Sequence, residues 1–261
     1  MPDKEKVLII RRYAFIGRRC LLSFDMHYVK LPFQFDAETL LAEVMRLPEE
    51  AFAEIESSHI NPGGLIACNL LEVDLEWAGH RNDHSDSIEG GPMKPGRWLL
   101  ACEVIRKVVD SFPCIKNLAR IHRLQPGAYI LEHTDPVGWN TGLFRIHIPL
   151  VTGEGSEFIL AGEELRFAAG EAWCLDVGVP HRVRNNDAKE RIHLVLDCQR
   201  NAWWEELLRG LGVHSIDNKF MRMDIEALKS MEASFAEIDQ PAMQSELALI
   251  RAELQRRKEN G

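Results

Sequence analysis

Between Ala119 and Cys198 the chain consists of short segments in which apolar and polar residues alternate. Turn-forming residues such as Pro126-Gly127 and Gly153-Glu154-Gly155 separate these segments. About eight short strands at this spacing are typical of a sandwich, a jelly roll or a barrel. We therefore predict a mainly β fold, a jelly roll. The predicted strands are 120–124, 129–133, 144–151, 157–160, 164–167, 172–177, 181–184 and 191–197.

Helical patterns flank this β region. Asp36 is predicted to be the N-cap of an amphipathic helix that ends before Pro48, and a second helix is predicted over Leu99 to Phe112. Residues 57–98 indicate long loops with a few short strands. From Ala202 onward the chain is again helical in character. Its final amphipathic run has apolar residues at helical spacing, which could cover the jelly roll or form a homodimer.

The domain organisation follows from these patterns. We predict a poorly ordered N-terminal extension over 1–24, one main domain over 25–200 with its jelly-roll core at 119–198, and a helical region over 201–261. Arg18 and Arg19 interrupt the apolar runs near the start, whereas a signal peptide would need an uninterrupted apolar stretch.

Net charge, the length of apolar runs and cysteine content bear on the partners and the location of the protein. The formal net charge of -9 argues against nucleic acid, because phosphate backbones are bound by a positive field. No apolar run approaches the roughly 20 residues of a membrane-spanning helix. The six cysteines include no C-x-x-C pair, which favours reduced thiols in a cytoplasm over a disulfide framework.

The residues His133-Thr134-Asp135 and the distant His181 form the candidate metal site. Residues i and i+2 of a strand point to the same face, so His133 and Asp135 can bind one ion, and a second strand brings His181. Two imidazoles and one carboxylate are the facial triad of non-haem Fe(II) oxygenases. An H-x-D triplet by itself can equally cap a turn before Pro136.

Two R-x-H segments add a candidate anion site. Arg191 opens a strand on the face shared with His193, and Arg145 lies likewise with His147. A buried arginine is costly unless an anion meets it, and the distal carboxylate of 2-oxoglutarate fits that role. The alternative is that these faces are solvated and the arginines pair with acidic neighbours such as Asp197 or Glu171.

Residues 120–197 resemble the aspartyl/asparaginyl β-hydroxylase family, including its bacterial members that hydroxylate free amino acids such as proline. The matching residues are Pro126-Gly127, His133-Thr134-Asp135, Arg145-Ile146-His147, Gly170-Glu171-Ala172-Trp173, Pro180-His181 and Arg191-Ile192-His193-Leu194. A looser likeness covers Leu31 to Phe52. Animal β-hydroxylases lack the carboxylate ligand, whereas Asp135 is present here.

The resemblance implies a double-stranded β-helix with iron ligated by His133, Asp135 and His181. It further implies that Arg191 binds 2-oxoglutarate in a pocket completed by His147 and His122. By the same resemblance Arg145 is expected to contact the substrate.

The predicted function is that of an Fe(II)- and 2-oxoglutarate-dependent dioxygenase. It would use O2 to hydroxylate a small amino-acid-like substrate or an aspartyl, asparaginyl or prolyl side chain. The alternative from another class is a metal-binding cupin without oxygenase activity, either an isomerase or a sensor of a small anion. Cupins usually supply more histidines and a glutamate. His80 and His84 are interpreted as part of a solvated loop, and Trp139 as either a lid residue or a loop anchor.

Overall fold

The computed structural model describes residues 27–55, 60–74, 93–211, 213, 220 and 223–238, and eight residues between 247 and 258. The extension predicted at 1–24 and the predicted loop histidines His80 and His84 lie outside the described residues. The division of the chain into three regions therefore stays a prediction.

The described part of the chain contains two large layers of strands with helices on one side. The strands are β1 (Tyr28–Gln34), β2 (Ala53–Glu54), β3 (Leu65–Asn69), β4 (Leu71–Val73), β5 (Met93–Pro95), β6 (Lys116–Leu124), β7 (Tyr129–His133), β8 (Leu143–Val151), β9 (Ser156–Leu160), β10 (Glu163–Glu164), β11 (Glu171–Leu175), β12 (His181–Asn185) and β13 (Arg191–Gln199). The helices are α1 (Ala37–Val44), α2 (Arg97–Ala101), α3 (Glu103–Asp110), α4 (Ala202–Gly210) and α5 (Ile225–Ala236). Short 3-10 helices occupy Glu49–Ala51 and Trp139–Thr141.

The strand order identifies a double-stranded β-helix. A seven-stranded sheet has the order β1-β11-β8-β13-β6-β3-β2, and a four-stranded sheet has the order β10-β9-β12-β7. From β6 to β13 the chain passes back and forth between these two sheets, as in a jelly roll. The predicted mainly β, jelly-roll fold is confirmed. The strands β1, β2 and β3, which lie outside 119–198, extend the larger sheet.

The two faces of the larger sheet differ in chemistry. Alternate residues of β8 and β13, such as Ile146 and Leu194, belong to the main apolar core together with residues of α1 and α3. The intervening residues, including Arg145 and Arg191, line a cavity between the sheets. The predicted sharing of one face within each R-x-H segment is confirmed, since neighbouring side chains of a strand point to opposite faces.

The helix predicted over Leu99 to Phe112 is two helices. Cys102 interrupts it with φ −113° and ψ 89°, which is not a helical conformation. The buried carboxylate of Glu43 accepts hydrogen bonds from the N–H groups of Val104 at 3.0 Å and Ile105 at 2.8 Å. A side chain from α1 thus caps α3, and apolar periodicity gives no sign of a cap that is distant in sequence.

The predicted N-cap Asp36 is confirmed, because its side chain accepts from the Thr39 N–H at 3.1 Å.

The C-terminal helices pack in two ways. In α4 the ring of Trp204 stacks on Phe144 at 3.8 Å between centroids, which joins this helix to the main core. Leu228 of α5 packs instead with Phe220, Ile250 and Leu254 in a separate small cluster. The residues described between 247 and 258 are helical. The homodimer predicted through this region stays a prediction.

Two simpler expectations concern membranes and thiols. Over the described residues, no helix has the length and apolar character needed to cross a membrane. The five cysteines that the structure describes are buried and not disulfide-bonded.

Candidate metal and anion site

The three predicted metal ligands meet at one end of the smaller sheet. His133 ends β7 and His181 begins β12, and the two are register partners with ring centroids 4.1 Å apart. Asp135 follows β7, and its N–H donates to the carbonyl of Val177 at 2.8 Å. One ligand atom of each residue lies within 4.8 Å of the others. This donor set can hold one metal ion.

Hydrogen bonds fix the tautomer of both imidazoles. Nδ1 of His133 lies 2.7 Å from the carbonyl of Leu131, and Nδ1 of His181 lies 3.0 Å from the carbonyl of Val179. A carbonyl only accepts, so each Nδ1 carries the proton and donates it. Each Nε2 therefore keeps its lone pair, and these atoms lie 3.7 and 3.8 Å from the Asp135 carboxylate. Backbone contacts of this kind orient metal-binding histidines.

Arg145 connects Asp135, the predicted carboxylate ligand, to the larger sheet. Its Nε and Nη2 donate to the two carboxylate oxygens of Asp197 at 2.6 and 2.8 Å, and its Nη1 donates to Asp135. The pairing of an arginine with Asp197, weighed above as an alternative to ligand binding, is therefore present. Burial by itself would lower the pKa of Arg145, but the two carboxylates outweigh that effect and raise it. We call this group the arginine clamp (Arg145, Asp135, Asp197).

Arg191 is a buried cation without a carboxylate partner among the described residues. Its side chain contacts Nδ1 of His193 at 3.2 Å and lies over the ring of Phe158, 5.9 Å from its centroid. Its Nε makes no hydrogen bond within the described part of the protein. Burial lowers the pKa of Arg191 to about 9. An anion in contact with the guanidinium would relieve that cost.

The three histidines beside Arg191 are neutral, and we call them the histidine cluster (His122, His147, His193). Burial lowers the pKa of His122 to about 3 and the pKa values of His147 and His193 well below their ordinary value, with Arg191 adding to each shift. Nδ1 of His193 faces both the Arg191 guanidinium and Nδ1 of His147, at 3.3 Å from the latter. Because arginine only donates, this Nδ1 accepts, and the His193 proton sits on Nε2.

The Nε2 atoms of two histidines in this cluster have no hydrogen-bond partner among the residues that the structure describes. Nε2 of His193 and Nε2 of His122 are buried and make no hydrogen bond with any described residue. His193 and His122 are register partners on adjacent strands, and Arg191 lies two positions from His193. Buried polar atoms are rarely left unpaired, and His122 and Arg191 line the cavity described next, so their side of it is suited to a polar ligand.

One cavity of about 230 Å³ is lined by most of these groups, whereas His193 and Asp197 lie behind its wall. Its walls include apolar side chains from both sheets, such as Phe158 and Val183 of the smaller sheet and Leu65 of the larger one. All seven residues predicted from the sequence line it, namely His122, His133, Asp135, Arg145, His147, His181 and Arg191. Trp139 is buried in the main core, and its backbone N–H donates to the Asp176 carboxylate at 3.2 Å. It anchors the loop and does not line the cavity.

Three residues of this region were not predicted as site residues. His193 and Asp197 could have been identified, because strict alternation along β13 puts them on the face of Arg191. Arg120 lines the cavity two residues from His122 on β6, and the same alternation identifies it. Asp197 was considered as an arginine partner, but which arginine is its register partner could not be predicted from the sequence.

Comparison with known proteins finds similarity over the central part of the chain. Residues 99–201 match the family model described as aspartyl/asparaginyl beta-hydroxylase. A curated L-proline cis-4-hydroxylase from Rhizobium meliloti (strain 1021) is 29% identical over 105 residues, which is 40% of this chain and 38% of that protein. The match thus spans well under half the length of this relative.

Solved structures resemble the chain more loosely. An oxidoreductase of the 2OG-Fe(II) oxygenase family from Burkholderia pseudomallei has a TM-score of 0.46 and 19% identity, with 67% of this chain and 85% of that one covered. A predicted oxalate decarboxylase from Thermotoga maritima has a TM-score of 0.35 and 15% identity, with 57% and 93% covered. Such low scores carry no information about activity. The resemblance to the aspartyl/asparaginyl β-hydroxylase family is confirmed by the family model, over the residues 99–201 that contain every predicted site residue.

Proposed function

We propose that the protein is an Fe(II)- and 2-oxoglutarate-dependent dioxygenase that hydroxylates an amino acid or an aspartyl, asparaginyl or prolyl side chain. One observation carries this proposal. A cluster of two imidazoles and one carboxylate shares a cavity with Arg191, a buried guanidinium that meets no carboxylate within the described residues. A metal site alone requires no such cation.

The donor set fits iron. Two neutral Nε2 atoms and a carboxylate are borderline and hard ligands that suit Fe(II), and three protein ligands leave positions open on the ion. Bound iron, with O2 and 2-oxoglutarate, would supply the oxidising power for hydroxylation of a C–H bond. The chain would contribute positioning and the exclusion of water, through the backbone-locked imidazoles and the apolar walls.

Arg191 would bind the distal carboxylate of 2-oxoglutarate. Its Nε and the unpartnered Nε2 of His122, both from residues that line the cavity, offer polar contacts to such an anion. Because the histidine cluster is neutral, the guanidinium is the charge that selects an anion there. His147, whose Nδ1–H donates to His193, would orient that ring.

The substrate class rests on the relatives. The match to a protein described as an L-proline cis-4-hydroxylase supports a small amino-acid-like substrate. A main oxygenase domain over 25–200 and a cytoplasmic location belong to the same proposal. Arg145 as a substrate contact is now the weaker part of it, because three of its nitrogens already donate to Asp197 and Asp135.

Anaerobic titration of the Fe(II)-loaded protein with 2-oxoglutarate tests the proposal. We expect the weak visible charge-transfer band of chelated cosubstrate in the wild type and a much weaker band in Arg191→Met. Arg184→Met is the matched control, because Arg184 lies on β12 with an exposed side chain. Iron content is measured in every variant, so that loss of the metal is not mistaken for loss of the cosubstrate.

Iron binding without any band in the wild type would contradict the proposal. That result would favour the cupin alternative, an isomerase or a sensor of a small anion. A band that is equally strong in Arg191→Met would reject the role given to Arg191.

A further inference from the structure

A second cavity adjoins the cavity of about 230 Å³ that holds the proposed metal ligands, which we call the catalytic cavity. It has a volume of about 460 Å³, and its walls come from β3 to β6 and the start of α2. Leu118 and Arg120 of β6 line both cavities. We call the second one the outer cavity. We infer that it binds the body of a substrate larger than a free amino acid, whose carboxylate contacts Arg120 at the junction. This inference rests on the proposed function.

The size of the catalytic cavity supports a second subsite. Cavities that bind small molecules usually measure about 300–1,000 Å³. The catalytic cavity has about 230 Å³, and in the proposed reaction it must accept 2-oxoglutarate as well as the reacting part of the substrate. The rest of the substrate needs further space, and the outer cavity has about twice that volume.

Arg120 is the cation at the junction. Its Nε donates to Oδ1 of Asn69 at 2.6 Å, and no carboxylate of the described residues forms an ion pair with it. The two other arginines of the catalytic cavity are placed differently: Arg145 is held by two carboxylates, and Arg191 does not line the outer cavity. Burial lowers the pKa of Arg120, and the nearby charges of Asp197 and Asp135 only partly offset that effect, so an anion in contact with the guanidinium would be stabilising.

The walls of the outer cavity indicate what could lie beyond the carboxylate. Trp98 contributes an aromatic ring, one face of which is covered by the Arg97 guanidinium at 4.2 Å from the ring centroid. Leu71, Val73 and Met93 add apolar surface, and Glu72 adds one carboxylate. This mixture suits a planar or apolar group attached to an amino acid. We therefore assign an N-acylated or peptide-linked amino acid with a free carboxylate as the substrate class.

Binding to the full-length protein, loaded anaerobically with Fe(II) and 2-oxoglutarate, tests the assignment by calorimetry. The probes are the free amino acids L-proline, L-aspartate and L-asparagine, their N-benzoyl derivatives, and the carboxamides of those derivatives. We expect at least one N-benzoyl acid to bind ten times more tightly than its parent amino acid. Trp98→Ala should reduce that preference.

Arg120→Gln should weaken binding of that N-benzoyl acid about tenfold to hundredfold, because a charge-assisted hydrogen bond is lost. Its carboxamide should bind within twofold of its wild-type affinity. Arg184→Gln, an exposed arginine of β12, is the control and should change neither.

Two results would overturn the inference. One is that no N-benzoyl acid binds more tightly than its parent, and the other is that Arg120→Gln leaves acid binding unchanged. The charge-transfer band of the 2-oxoglutarate complex is measured on the same samples. A normal band together with either result rejects the outer subsite and leaves the proposed function intact, whereas a missing band rejects the proposed function itself.

Discussion

Replacing Asp197 by asparagine tests whether the arginine clamp supports the metal site. The side chain of Asp197 is only 5% exposed, and it accepts two of the three hydrogen bonds that Arg145 donates to carboxylates. Asp197→Asn keeps the shape of the side chain but removes its charge. The Arg145 guanidinium would then be buried with Asp135 as its one remaining carboxylate partner in the clamp.

The expected cost follows from these contacts. A hydrogen bond to a charged group contributes about 1.5–3 kcal/mol, and removing one partner of a buried pair costs about 3–5 kcal/mol. Asparagine retains one carbonyl acceptor, so we expect the free energy of unfolding to fall by about 3 kcal/mol. The orientation of Asp135 would also loosen. Loss of a residue that orients a metal ligand typically lowers metal affinity about 10-fold to 100-fold.

Two assays check this prediction, urea unfolding of the metal-free protein and competitive titration with Co(II). The matched control is Glu190→Gln. Glu190 accepts two hydrogen bonds from Arg123, each of 2.9 Å, but the pair is partly exposed and lies outside the catalytic cavity. The control should lose about 1 kcal/mol or less and keep its metal affinity.

Asp197→Asn with a stability loss below about 1 kcal/mol would refute the assigned energetics of the buried pair. Unchanged Co(II) affinity in a folded variant would show that the clamp does not position Asp135.

Three further predictions concern the metal, pH and a tight turn. Asp135→Ala should lower iron retention and abolish turnover coupled to 2-oxoglutarate, and full activity in that variant would exclude the metal assignment. The histidine cluster has folded-state pKa values below the ordinary 6.5, so the unfolded chain binds more protons below that pH. Stability should therefore fall as the pH drops below about 6.5, by about 1 kcal/mol per histidine at pH 5.5, in urea titrations. His122→Gln should reduce this slope. Gly170 has φ +80°, and an added Cβ would lie 2.1 Å from the Phe35 carbonyl oxygen. Gly170→Ala should destabilise clearly more than Gly127→Ala, which has φ +78° but open space, where about 1–2 kcal/mol is expected. Equal losses in thermal unfolding would contradict this.

Local pattern was sufficient to predict the jelly roll and the strand faces that carry the proposed metal ligands. Alternation of period two is a property of each strand, so the inward faces of β8 and β13 could be predicted without knowledge of their partners. The trio His133, Asp135 and His181 needed one more step, the meeting of β7 and β12, and the family resemblance supplied it.

Contacts between distant segments could not be predicted. Glu43 caps a helix far along the chain, and the sequence around Cys102 contains no signal of that contact. The pairing of Arg145 with Asp197 depends on the register of two strands. Alternation alone does not define that register, because a shift by any even number of residues keeps the same side chains on the same face. The family likeness therefore suggested a substrate contact for an arginine whose nitrogens are largely occupied within the protein.

The division of the site between the two sheets has a mechanical consequence. The metal ligands belong to the β7 and β12 side, and Arg191 belongs to β13 on the opposite sheet. In the proposed complex, 2-oxoglutarate would be bound by the metal at one end and by Arg191 at the other, so the cosubstrate would act as a cross-brace between the layers. Amide hydrogen exchange should then slow in both sheets when 2-oxoglutarate binds. A short ligand such as oxalate would contact only the metal. It should slow amide hydrogen exchange around β7 and β12 and leave the exchange rates of β13 unchanged.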